Sequence, residues 1–439
     1  MTKVFRILAT AAIAAVVVFG FSQETTAQST SIDGLTIQIS KPGGRDLPLA
    51  ITRPSGGDPE ADTLWALITR DMEISGYFRV LDSRSFIEPS SAGLEPGQFR
   101  YTDWDVPGAT ALAKTSLTRT PDGQYRAEVW VYDVPGRERL GARAFTAESS
   151  QLRTLGHRIS NQILEYIGGE GGIFNTRFAA VSNRSGNKEI VLVDIDGARV
   201  VPVTRNGAIN LQPAWGADAR SLAFTSYRRG NPDLYIADLA RGRTRPLSSR
   251  EGINVGASFS PLGAIVALTM STGGNSDIFT IDVASGESNR LTRAAGLDLS
   301  PTWSPDGTKI AFASERSGGV QIYQMDARGG SPERVTFNGN HNTDPAWSPS
   351  GDRIAYVSRD GHYDVYTIGV NGSGRVRITE NQGNNEDPSW SPDGRYLAFT
   401  SNRSGGSHIW VSTSDNVHQV QITEGRGTFS NPAWSPALW

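Results

Sequence analysis

The 439-residue sequence predicts an all-β, six-bladed β-propeller preceded by a small α/β domain. Three observations carry that prediction. An aromatic residue recurs at positions 215, 259, 303, 347, 390 and 434, in steps of 43 or 44 residues. It sits in a box seen most fully as Pro301-Thr302-Trp303-Ser304-Pro305-Asp306-Gly307 and Pro388-Ser389-Trp390-Ser391-Pro392-Asp393-Gly394, with Phe259 standing for Trp in one copy. Glycine accounts for 48 residues and proline for 23, the punctuation of many short elements joined by tight turns.

Each repeat reads as four strands. The box ends in a turn, often Asp-Gly, suited to a hairpin. An apolar strand follows, such as Lys309–Ser314, then a polar turn, a third strand such as Gln321–Asp326, and a fourth around Glu333–Thr336. Four short strands per repeat of this length make a propeller blade. One repeat length before Trp215 there is no box, yet Phe178–Ser182 matches the second strand Leu222–Ser226. The first blade therefore lacks its inner strand, while Pro432–Pro436 is an inner strand lacking its blade. Pairing the two closes the ring, which removes the unpaired edges an open end would leave.

Upstream of the repeats the pattern changes. Lys3 and Arg6 precede fifteen uncharged, mostly apolar residues, Ile7–Phe21, and then Thr25-Thr26-Ala27, which reads as a cleaved secretory signal over residues 1–27. Fifteen residues fall short of the ~20 that span hydrocarbon. Residues 28–167 read as the α/β domain: strands at Leu35–Ser40 and Pro48–Thr52, a helix with Leu64, Leu67, Ile68 and Met72 on one side, a short strand at Arg79–Leu81, a hairpin of Ala113–Arg119 with Gln124–Asp133, and a helix striped by Leu152, Leu155, Ile159, Ile163, Tyr166 and Ile167. Gly168–Gly172 reads as a linker, and residues 168–439 as the propeller.

Composition narrows the function. Lys and Arg number 42 against 45 Asp and Glu, without the basic face of a nucleic-acid binder. The absence of cysteine excludes disulfides, thiolate metal sites and thiol catalysis. There is no G-x-S-x-G elbow, no H-E-x-x-H and no phosphate loop, and the five histidines do not cluster in sequence. No catalytic residue, cofactor or metal is assigned. The Trp boxes read as architecture, the indole filling space between blades.

Binding residues are expected just ahead of each aromatic, on loops leading to the mouth of the central channel. Three residues ahead stand Gln212, Gly256, Ser300, Asp344, Asp387 and Asn431; five ahead stand Asn210, Asn254, Asp298, Asn342, Asn385 and Phe429. Six ahead, Ile209, Ile253 and Leu297 make an apolar arc, followed by His341, Asn384 and Thr428. Short polar residues of this kind either cap turns or form a polar funnel for a partner loop or a cation. A partly apolar rim beside a polar hole suits protein recognition.

With its leader, α/β domain, six repeats, the stretch Gln151-Leu152-Arg153-Thr154-Leu155-Gly156-His157 and the terminal Asn431-Pro432-Ala433-Trp434-Ser435-Pro436, the sequence resembles the TolB family, periplasmic propeller proteins of the Tol–Pal system of Gram-negative bacteria. The resemblance implies a non-enzymatic adaptor in the periplasm that supports outer-membrane integrity and constriction during cell division. It implies that the mouth binds the lipoprotein Pal, near Ile253, Gly256 and Leu299, with Asn254, Asp298, His341, Asn342, Asp344, Asn385 and Asp387 as further candidates. It implies that the segment Ser29–Ile39, with Ile32, Leu35, Ile37 and Ile39, binds TolA as an added strand. The alternative is a secreted propeller lyase or hydrolase acting on carbohydrate, with His341, Asp344 and Asp387 around a channel cation.

Overall fold

The computed structural model describes residues 47–89, 92–380 and 382–438. The expected signal and the strand at Leu35–Ser40 lie outside the described residues, as do Ile32, Leu35, Ile37 and Ile39. Among the described residues no helix is long and apolar enough to cross a membrane.

The first part of the chain folds as β1 (Leu47–Ile51), α1 (Ala61–Ser75), β2 (Phe78–Val80), α2 (Thr102–Asp105), β3 (Ala111–Arg119), β4 (Tyr125–Asp133), β5 (Glu138–Ala147) and α3 (Leu152–Gly168). The strands form one mixed sheet in the order β2-β1-β3-β4-β5. The expected hairpin is present, with Arg119 paired to Tyr125 across the Pro121-Asp122-Gly123 turn. Strand β5 and the short α2 went unread in sequence, because Glu138–Arg143 is largely exposed and lacks the alternation of a half-buried strand. Helices α1 and α3 cover one face of the sheet through Leu64, Ile68, Met72, Leu155, Ile159 and Ile163, all buried. Both helices end on a left-handed glycine, Gly76 (φ 69°) and Gly169 (φ 78°), the usual stop signal for a helix. The loop between β2 and β3 covers the opposite face with Phe86, Phe99, Tyr101 and Trp104.

The rest builds six four-stranded antiparallel sheets. Blade 1 is β6 (Arg177–Ser182), β7 (Glu189–Asp194) and β8 (Val200–Pro202), and the later blades are β9–β12 (210–248), β13–β16 (254–290), β17–β20 (298–334), β21–β24 (342–377) and β25–β28 (385–421). The last strand, β29 (Phe429–Trp434), pairs with β6 as the missing inner strand of blade 1. The innermost strands touch in succession, and β29 meets β9 to complete the ring.

Three of the box tryptophans stitch neighbouring blades. The indole N–H of Trp303 donates to the Ser258 carbonyl at 3.1 Å, Trp390 to Ala346 at 3.0 Å and Trp215 to Ala433 at 3.0 Å, each reaching into the preceding blade. Phe259 fills the same place without the N–H. The Pro-Asp-Gly corner is held by side-chain bonds, as where Ser304 Oγ donates to Asp306 at 2.6 Å and the Thr308 N–H donates to the same carboxylate at 3.0 Å.

In an antiparallel blade the connections alternate between the two ends. The turns joining first to second and third to fourth strands share one face of the disc, and the α/β domain sits there. Tyr396 Oη donates to the Ser75 carbonyl, Arg395 reaches Tyr77 and the Gly171 carbonyl, and Arg153 of α3 pairs with Asp194 and Asp196 after β7. One apolar cluster runs through this junction, joining α1 and α3 to Val193, Ile195, Tyr396, Val411 and Ile422. The opposite face, where chain crosses from one blade to the next, is left free by the described residues of the α/β domain.

Candidate functional site

The free face holds the mouth residues, and their placement departs in part from expectation. The residues five ahead of each aromatic begin the innermost strands rather than lying on connecting loops. Asn254, Asp298, Asn342 and Asn385 are fully buried there. Each ties down chain around it. Asn342 donates to Gln321 Oε1 in the preceding blade at 2.8 Å and to the Asn338 carbonyl at 2.9 Å, and Asn385 likewise donates to Asp364 Oδ1 at 3.1 Å. Asn254 accepts from Ser248 Oγ at 2.6 Å and donates to the Arg250 carbonyl at 2.8 Å. Asp298 receives both its oxygens' bonds from Arg316 at 3.0 Å. These amides and carboxylates set the path of the blade-to-blade crossing. They shape the mouth without presenting themselves on it.

The residues three ahead share a different property. Gln212, Gly256, Ser300, Asp344, Asp387 and Asn431 all have positive φ, between 50° and 65°. At each of these places the innermost strand carries one residue more than its partner, as where Leu211–Ala214 opposes Ala223–Thr225. This is a β-bulge whose first residue is left-handed, a conformation open to glycine and, less readily, to Asn and Asp. The bulge turns these residues toward their neighbours, and hydrogen bonds join three adjacent pairs of blades. Gln212 Oε1 accepts from the Gly256 N–H at 3.2 Å, Ser300 Oγ donates to Asp344 at 3.2 Å, and Asp387 Oδ2 accepts from the Asn431 N–H at 3.3 Å and from Thr400 Oγ1 at 2.9 Å.

Charge is gathered on one side of that ring. Burial raises the Asp344 carboxyl, opposed by the Thr343 and Ser300 hydroxyls. Burial and then the Asp344 charge push Asp387 up to about 7, and the same two causes raise Glu386. The facing side is apolar. Ile209 is 48% exposed, Ile253 and Leu297 are half-buried beside it, and Leu211, Val255 and Leu299 lie one step deeper, also half-buried. The opening is therefore two-sided, with an apolar arc on blades 2 to 4 and an acidic arc on blades 5 and 6.

His341 stands on the rim of blade 5, its ring 6.0 Å from that of Tyr363. The opening at the other end of the channel, about 530 Å³, is lined by box residues such as Trp215, Trp390, Trp434, Pro261, Pro349 and Pro392. The left-handed ring was the feature sequence reasoning missed. Its signal was present in the run of Gln, Gly, Ser, Asp, Asp and Asn at one repeat position, residue types that tolerate positive φ.

The comparisons with known proteins agree with this architecture. The family profile described as TolB beta propeller domain matches residues 164–438, and that of the TolB amino-terminal domain matches residues 35–140. The chain is 37% identical over 194 residues to the Tol-Pal system protein TolB of Anaeromyxobacter dehalogenans, and 39% identical over 190 residues to that of Geobacter sulfurreducens. The first alignment spans 44% of each chain, so less than half of the relative's length is matched. The crystal structure of TolB from Acinetobacter baumannii superimposes with a TM-score of 0.80 at 27% identity, covering 90% of this chain and 98% of that one. Two family profiles in the expected order, over a propeller closed by its last strand, place this chain in the TolB family.

Proposed function

We propose that the protein is a non-enzymatic periplasmic adaptor of the Tol–Pal system, binding Pal at the propeller mouth and TolA through Ser29–Ile39, and so supporting outer-membrane integrity and constriction during division. The observation that carries this reading is the two-sided mouth on the face away from the α/β domain. Its polar ring is engaged in blade-to-blade hydrogen bonds. What it offers a partner is shape, an apolar arc and a patch of negative charge, the ingredients of a protein interface with an apolar centre and a polar rim. Ile253, Leu299 and His341, half-buried at the rim, are the side chains available for contact, with Gly256, Asp344 and Asp387 behind them. Support for two partners at once comes from topology. Strand β1 enters beside Tyr77, whose hydroxyl meets Arg395 on the opposite face.

The test is titration calorimetry with purified Pal. Leu299→Arg puts a charge into the apolar arc and is expected to weaken binding about tenfold or more, with an unchanged melting profile. Unchanged affinity in a folded variant removes the mouth from the interface. In parallel, deletion of Ser29–Ile39 is expected to abolish TolA recovery in a pull-down while Pal binding persists; continued recovery of TolA would overturn that half of the proposal.

A further inference from the structure

A buried charge cluster lies where α1 and α3 meet the third-to-fourth-strand turn of blade 1. His157 of α3 is 5% exposed, and its Nδ1 stands 2.8 Å from Oδ2 of Asp71 on α1, which is fully buried. One turn earlier on α3, the Arg153 guanidinium places one nitrogen 2.6 Å from both oxygens of Asp196 and another 3.2 Å from Asp194. The ligand-type atoms of Asp71, His157 and Asp196 lie within 4.8 Å of one another. The two pairs therefore form one electrostatic unit that crosses from the α/β domain to the propeller. Ser160 Oγ also lies beside Asp71, the Ala198 N–H donates to Asp196 Oδ1 at 3.1 Å, and the ring of Phe174 stacks on the imidazole at 6.3 Å.

Charge arithmetic makes the unit sensitive to one proton. Asp71, Asp194 and Asp196 face Arg153 and His157. With His157 protonated, two cations meet three carboxylates. With it neutral, one cation remains, and among the described residues Asp71 Oδ1 and His157 Nε2 have no hydrogen-bond partner. An uncompensated charge in so buried a place is costly. We propose that the Asp71–His157 and Arg153–Asp196 pairs form a pH-operated latch that holds the α/β domain against blade 1 while the cluster keeps its proton and loosens when the proton leaves.

The direction follows from the environment. Burial works against a charged His157, but the neighbouring Asp71 and Asp196 outweigh it, so the imidazole holds its proton above its ordinary range. Burial likewise raises Asp71. Both shifts mean that the folded junction binds a proton more tightly than the unfolded chain, so its stability is present at low pH and is lost as pH rises through the folded midpoint. The contacts to blade 6 end on backbone carbonyls, Tyr396 donating to that of Ser75 and Arg70 to that of Gln421. With the charge pairs loosened, these contacts and the apolar cluster shared by α1, α3 and both blades remain as the hold on the α/β domain.

The sequence has no cysteine, so a fluorophore pair introduced by Glu95→Cys and Arg293→Cys, both exposed, reports the domain separation in the full chain. Between about pH 5.5 and about pH 9 the transfer distribution is expected to be narrow at the acid end and to broaden at the alkaline end. Its midpoint should coincide with the titration of the His157 ring by NMR. His157→Gln is expected to be broad and independent of pH, and Asp196→Asn, should His157→Gln fail to fold, to move the midpoint lower. A distribution unchanged across the range, or a pH response that persists in His157→Gln, overturns the latch. A response to EDTA or added zinc overturns it too, since the carboxylates would then be serving a metal instead of Arg153.

Discussion

Asp387 shows how much a single position in the ring controls. Its carboxylate accepts from Thr400 and from the Asn431 N–H, yet burial and the charge of Asp344 in the next blade push it up to about 7. Because the folded value lies above that of an unfolded Asp, the stabilising contribution is complete below about pH 4 and falls away as pH rises toward 7. Asp387→Asn keeps an acceptor for both donors and removes the ionisation. The variant is expected to match the parent near the acid end and to melt at a higher temperature at about pH 8, read by thermal scans across the series. Equal melting temperatures at the alkaline end would mean that solvent in the channel screens the pair. A residue of this kind is only half legible in sequence. Its recurrence marked it as special, but the shift depends on Asp344, 43 residues away, being brought alongside by the ring. The neighbouring Asn254, Asp298, Asn342 and Asn385 are equally conspicuous in sequence, but spacing does not separate a loop residue from the first residue of a buried strand, which is where they stand.

At the scale of the element, the innermost strand is the piece that converts a generic blade into this opening. Its extra residue lets the backbone turn at the mouth while the Trp end stays in register with the second strand. The repeated strand pattern was readable because the second and third strands are short, near-continuous apolar runs covered on both faces, as along Ile310–Ala313, and are bounded by turn residues. The bulge was not, because one inserted residue shifts the alternation without announcing which residue bears the positive φ. Asn431, at φ 50°, tests the point cleanly, since its backbone N–H donates to Asp387 Oδ2 and Thr400 Oγ1 whatever its side chain. Asn431→Gly is expected to be neutral or slightly stabilising. Asn431→Val should lower stability by about 1–2 kcal/mol, measured by urea titration. Equal stabilities for the two variants would show that the left-handed bend is not what the position requires.

For the whole molecule, closure by β29 decides whether the ring exists at all. Strand β29 covers the edge of β6, and its Trp434 lies edge-on to Phe178 with ring centres 4.8 Å apart while donating to Thr176 at 2.8 Å. Phe429, Phe178 and Trp434 also belong to the apolar cluster shared with α1 and α3, so the closing strand supports both the ring and the seat of the α/β domain. Truncating Trp434 to Ala is expected to cost roughly 3–5 kcal/mol yet leave one cooperative transition. Removing residues 429–438 is a different perturbation. It bares a strand edge of β6 along its length, an invitation to edge-to-edge association, and opens the contact between β25 and β9 that β29 mediates. The truncated chain is expected to lose its cooperative calorimetric transition and to scatter light on standing. A peptide of sequence 429–438 added in trans should restore part of the transition, because strand addition to a free edge needs backbone bonds more than chain continuity. A truncated chain that melts cooperatively without the peptide would show that five blades and an open first one are sufficient, and that closure is a convenience of the fold rather than its condition.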